Sequence, residues 1–84
     1  MKYIIYSTKT CPKCEQLKRA LADSKISFET IDMATPEALT ELRINGVFTL
    51  SAPVLQIDDS FYTTEDLFDG ERIKDLKAME IIKD

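Results

Sequence analysis

The chain has 84 residues, 44% of them hydrophobic and 31% charged, with a formal net charge of -4. That length sets one domain with a modest core, because a domain near this size removes only about 60% of its unfolded surface from water, and the composition lies well away from that of disordered chains. An acidic chain without a Lys/Arg stripe argues against a nucleic acid partner. No stretch approaches the roughly 20 apolar residues that span a bilayer, and Met1–Tyr6 is too short an apolar run for a signal-peptide core, so a cytoplasmic protein without a membrane partner is expected.

Lys2–Tyr6, apolar and rich in isoleucine and tyrosine, reads as a buried strand. The stretch Lys9-Thr10-Cys11-Pro12-Lys13-Cys14-Glu15 follows it and contains both cysteines of the chain. Pro12 fits a first helical position, where a missing N–H costs nothing, and Cys14, Leu17, Ala20 and Leu21 then recur at helical spacing to about Ser24. Ile26–Ile31 alternates apolar with polar, the period of a half-buried strand. Thr35-Pro36-Glu37 repeats the helix start, Ala38, Leu39 and Leu42 give a face, and Asn45-Gly46 gives a stop. Pro53–Ile57 and Phe61–Thr63, joined by Asp58-Asp59-Ser60, read as a hairpin. Thr63 with Asp66, or Thr64 alone, can cap a last helical region, which Asp69-Gly70 breaks into a short turn and a helix from Glu71 to Ile82. The order βαβαββα predicts a single α/β domain over residues 1–84, with a four-stranded mixed sheet flanked by helices and its first two strands parallel through a right-handed crossover.

This order places Cys11 at the N-cap of the first helix, where its sulfur meets the N–H groups of Lys13 or Cys14. The helix terminus and the cationic Lys13 both favour thiolate over thiol, and such settings lower a cysteine pKa from about 8.5 to roughly 3.5–7.5. Cys11 is then the nucleophile. Cys14, one turn on, lies within disulfide reach on the apolar face, which suits a resolving thiol. Charge favours the same end, since residues 1–32 carry six basic and four acidic groups and the remainder carries the acidic excess. Two other readings compete with redox chemistry. Both cysteines can pack as small hydrophobes, in a non-catalytic adaptor, or a metal or iron–sulfur carrier can share a site between two chains. With two cysteines and no histidine, one chain cannot close a four-ligand site, so no metal is expected within it.

The strand, the Cys11-Pro12-Lys13-Cys14 turn into a helix, and Ser51-Ala52-Pro53-Val54 entering a later strand together resemble the glutaredoxin branch of the thioredoxin fold over nearly the whole chain. The resemblance implies a cis peptide bond between Ala52 and Pro53, with the Ala52 backbone pairing with the incoming substrate. It implies a dithiol thiol–disulfide oxidoreductase that needs no bound cofactor, with Cys11 and Cys14 catalytic and Lys9, Pro12, Lys13, Ser51, Ala52, Pro53, Thr63 and Thr64 around the substrate. The implied partners are protein disulfides such as that of ribonucleotide reductase, and a thioredoxin-reductase-type, ferredoxin-linked or glutathione reductant; the protein is expected to act as a monomer. The chain departs from the pattern where glutathione would sit as co-substrate. The basic residue ahead of the proline segment is missing between Phe48 and Pro53, and Thr63-Thr64 crowds the place of a Gly-Gly pair. In this the chain is nearer to small glutaredoxin-like proteins of archaea and of ribonucleotide reductase systems. Tyr6 and Phe48 read more as strand-end core than as groove walls. The acidic group Asp58, Asp59, Glu65, Asp66, Asp69 and Glu71 reads more as a solvated face than as a docking patch.

Overall fold

The structure, a computed structural model, describes residues 2–49 and 51–82; Leu50, in the segment ahead of Pro53, lies outside them. Four strands form one sheet in the order β2-β1-β3-β4: β1 is Tyr3–Ser7, β2 Glu29–Asp32, β3 Val54–Ile57 and β4 Ser60–Tyr62. β1 runs parallel to β2 and antiparallel to β3, and β3 and β4 form the hairpin. This is the mixed sheet that the sequence predicts.

β1 is buried along its whole length, and its alternation serves two cores. Tyr3 and Ile5 join Leu55 and Ile57 of β3 on one face, with Leu17 and Leu21 of α1 (Pro12–Asp23) laid over them. Ile4 and Tyr6 face the other way, with Val54 and with Ala38 and Leu42 of α2 (Pro36–Ile44). β2 is more open, with only Ile31 partly buried, as befits an edge strand.

Both helices end in the same device. In α2 the Val47 N–H donates to the Leu42 carbonyl (2.8 Å) and the Gly46 N–H to that of Arg43 (3.0 Å), with Gly46 left-handed at φ 81. In α1 the Ile26 N–H donates to Leu21 (3.0 Å) and the Lys25 N–H to Ala22 (2.9 Å), with Lys25 left-handed at φ 59. Ile26 is thereby used to close α1 and to pack on the core, so the strand expected from Ile26 begins only at Glu29.

The expected helix from Glu71 to Ile82 is not formed. α3 (Thr64–Leu67) is the short turn, and a small hairpin follows it, with β5 (Phe68–Asp69) pairing antiparallel to β6 (Arg72–Ile73). Asp69-Gly70 acts here as a hairpin signal, with Gly70 left-handed at φ 62 as the first of two turn residues. The helical tendency beyond it is confined to one turn. There the Ala78 N–H donates to the Asp75 carboxylate (3.1 Å), the Met79 N–H to the Asp75 carbonyl (3.1 Å), and the Ile81 N–H to Leu76 (3.0 Å). Leu76 and Ile82 still reach the core on the α1 face.

Candidate active site

The site is assembled where β1 and β3 run out. The antiparallel register pairs Tyr6 with Val54, which would set Thr8 opposite Ala52 two residues beyond the ladder. The chain instead turns away at both places, into the cysteine loop after Ser7 and into the Ala52–Pro53 peptide bond, which is cis. Among the described residues, the Ala52 backbone makes no hydrogen bond within the chain. The Thr64 hydroxyl donates to the Pro53 carbonyl across a buried 2.9 Å, tying the start of α3 to this corner.

Cys11 is the N-cap of α1, with extended backbone (φ -145, ψ 92), and its sulfur accepts from the Cys14 N–H at 3.0 Å. Pro12 holds the first helical position. Cys11 is half-buried whereas Cys14 is 1% exposed, on the face that carries Leu17 and Leu21. The two sulfurs are joined as a disulfide, with Cα atoms 5.2 Å apart. One sulfur is presented to the surface and its neighbour is enclosed, which is the asymmetry that attacking and resolving thiols need.

A cleft of about 270 Å³ opens beside Cys11, lined by Thr8, Thr10, Pro12 and Lys13 together with Ala52 and Glu71. Across Lys13 lies a second cleft of about 260 Å³, lined by Ser51, Thr64 and Phe68 among others. The Lys13 ammonium sits 5.7 Å from the centre of the Phe68 ring, a cation–π contact. Of the residues singled out in the sequence, Pro12, Lys13 and Ala52 share the cleft with Cys11, and Ser51 and Thr64 line its neighbour. Lys9 is exposed and outside both linings.

Thr63 is engaged elsewhere. Its N–H donates to the Asp66 carboxylate at 2.9 Å, and its hydroxyl lies 3.1 Å from both that carboxylate and that of Glu65. The hydroxyls of Thr63 and Thr64, which the sequence leaves free to donate to a ligand, are thus both committed within the chain. Tyr6 is core, 2% exposed, whereas Phe48 is 77% exposed and is not core at all. Glu71 is the site residue that the sequence leaves in the acidic face. Only reading Asp69-Gly70 as a hairpin turn would have brought it back toward α1. Among the described residues no group of three or more histidine, cysteine or carboxylate residues is placed to hold a metal, and no helix is long and apolar enough to cross a membrane.

The family model described as Glutaredoxin matches residues 3–62. Among solved structures, the glutaredoxin-like protein NrdH-redoxin from Escherichia coli, whose structure is described as the basis of its thioredoxin-like activity profile, matches with a TM-score of 0.62. It is 33% identical, over 75% of this chain and 82% of its own. No curated protein matches.

Proposed function

The chain belongs to the glutaredoxin family, with a thioredoxin-like fold and thiol–disulfide oxidoreductase activity, and from that premise we propose that it is a dithiol reductant of protein disulfides. The observation that carries this reading is the half-buried Cys11 sulfur at the helix N-cap, 3.0 Å from the Cys14 N–H, with Cys14 enclosed behind it.

In the reduced protein, the partial positive charge of the α1 terminus favours the Cys11 thiolate. That thiolate attacks one sulfur of the partner disulfide; the other sulfur leaves and takes a proton. Backbone pairing with Ala52 holds the mixed disulfide in line. Cys14 loses its proton and attacks Cys11, the partner is released as a dithiol, and the chain is left with the Cys11–Cys14 disulfide. Two electrons have passed to the partner.

Ribonucleotide reductase is a candidate partner by the family resemblance. A thioredoxin-reductase-type donor is favoured over glutathione as the source of electrons. The thioredoxin-like profile ascribed to NrdH-redoxin supports this, as does the commitment of the Thr63 and Thr64 hydroxyls within the chain. We place the protein in the cytoplasm, acting as a monomer. The test is trapping: Cys14→Ser should accumulate a mixed disulfide with a disulfide-bonded partner, and Cys11→Ser should capture none. Equal trapping by the two variants, read as mass-shifted adducts, would refute the assigned roles.

A further inference from the structure

Among the described residues, the cleft beside Cys11 is lined by one acidic residue, Glu71, and its setting is fixed by the fold. Glu71 is the second residue of the two-residue turn between β5 and β6, behind the left-handed Gly70. The hairpin is anchored by the buried Phe68. The Glu71 carbonyl accepts from the Gln16 side-chain amide at 3.3 Å, fastening the turn to α1 one turn beyond the cysteine loop. Among the described residues no salt bridge involves Glu71; those formed are Lys2–Glu29 and Lys18–Glu15. Lys13, the one cationic residue among the described residues of the cleft lining, has its ammonium over the Phe68 ring.

We propose that Glu71 is a specificity residue for the disulfide substrate, favouring a partner that carries Lys or Arg next to the attacked cysteine and disfavouring an anionic disulfide. The inference rests on the reductant reading above and names the substrate class of that same site. A disulfide that reaches Cys11 must bring its flanking residues into the cleft that Glu71 walls. A cation there meets a carboxylate without a salt-bridge partner, and a flanking carboxylate meets repulsion. Oxidised glutathione, rich in carboxylates, is on the unfavourable side. Exposed charge pairs of this kind change an equilibrium or rate by about 1.4- to 5-fold each, and salt removes the effect.

The test uses three disulfide-linked peptide dimers of equal length, their cysteines flanked by lysines, by glutamates or by serines, reduced by the full-length dithiol protein. The rate for each charged dimer is divided by that for the serine dimer. At low salt the protein should prefer lysine over glutamate. Glu71→Gln should lower that preference by about two- to fivefold, Glu71→Lys should lower it further, and high salt should erase it. Asp23→Asn makes the same charge change at the far end of α1, roughly 18 Å along the helix from Cys11, and should keep the original preference. A preference unchanged in both Glu71 variants, or lowered as much by Asp23→Asn, overturns the proposal while leaving the reductant reading standing. A protein that reduces none of the three dimers overturns both.

Discussion

Tyr6 shows at the scale of one residue how a side chain can serve packing and charge together. Its ring is buried with Ile4 and Val54 on the α2 face, and its hydroxyl donates to the Gln56 side-chain carbonyl at 2.8 Å. Burial, and then the nearby Glu41 carboxylate, raise its pKa above the ordinary 10.0. A raised value means that the folded state holds the phenolic proton more tightly than the unfolded one. The associated stability is complete below pH 10.0 and is lost as pH climbs through the higher folded value. Urea unfolding of the parent and of Tyr6→Phe, about one pH unit below and above 10, is the check. The parent should lose more stability across that interval than the variant, and parallel losses would rule out Tyr6 as the titrating group. The variant should start about 1 kcal/mol less stable for want of the hydrogen bond. Sequence shows that Tyr6 is core but not this titration, because Gln56 and Glu41 lie far from it along the chain. Cys11 and Cys14 were legible for the opposite reason, since their placement follows from a local rule, a proline at a first helical position; the cis bond at Pro53 was implied by the family resemblance and not by the residues alone.

The elements divide along the same line. Both helices and three of the four main strands are close to where periodicity and capping put them, since those signals are local. The misplacements occur where one residue served two purposes. Ile26 fits a strand by alternation, yet its N–H closes α1 on Leu21. Asp69-Gly70 can stop a helix or turn a hairpin, and the buried Phe68 paired with Ile73 settles it as a hairpin, which carries Glu71 to the cysteines. The helix ends also make a matched pair of predictions. Lys25 occupies a left-handed position that glycine takes without steric cost, so Lys25→Gly should stabilise the protein by about 0.5–1 kcal/mol. Gly46 already has the preferred residue at φ 81, and nothing lies within 4 Å of an added Cβ. Gly46→Ala should therefore cost about 1 kcal/mol through backbone conformation alone. Opposite shifts of the thermal midpoint are expected; shifts of the same sign would show that the two ends are not closed by the same device.

At the scale of the molecule, the sheet divides one small core into two halves, with Leu17 fully buried on the α1 face and Leu42 on the α2 face. Neither half can persist alone, because β1 and β3 contribute side chains to both. For 84 residues the total stability is about 4–13 kcal/mol, and a Leu→Ala change at a fully buried site removes about 2–5 kcal/mol of it. Leu17→Ala and Leu42→Ala should thus each shift a single cooperative transition, with tyrosine fluorescence and far-UV circular dichroism coinciding, and the double variant should be largely unfolded. Two separated transitions in either single variant would mean that the halves fold independently. The chemistry should divide where the stability does not. Leu17 lies one turn beyond Cys14 on the same buried face, so its truncation opens a path to the enclosed thiol, whereas Leu42 is on the far side of the sheet. In the reduced proteins, compared under conditions where both variants remain folded, alkylation of Cys14 should accelerate in Leu17→Ala and stay at the parental rate in Leu42→Ala. Equal acceleration in both would mean that Cys14 is reached by unfolding of the whole domain, and that its packing under α1 does not control access to it.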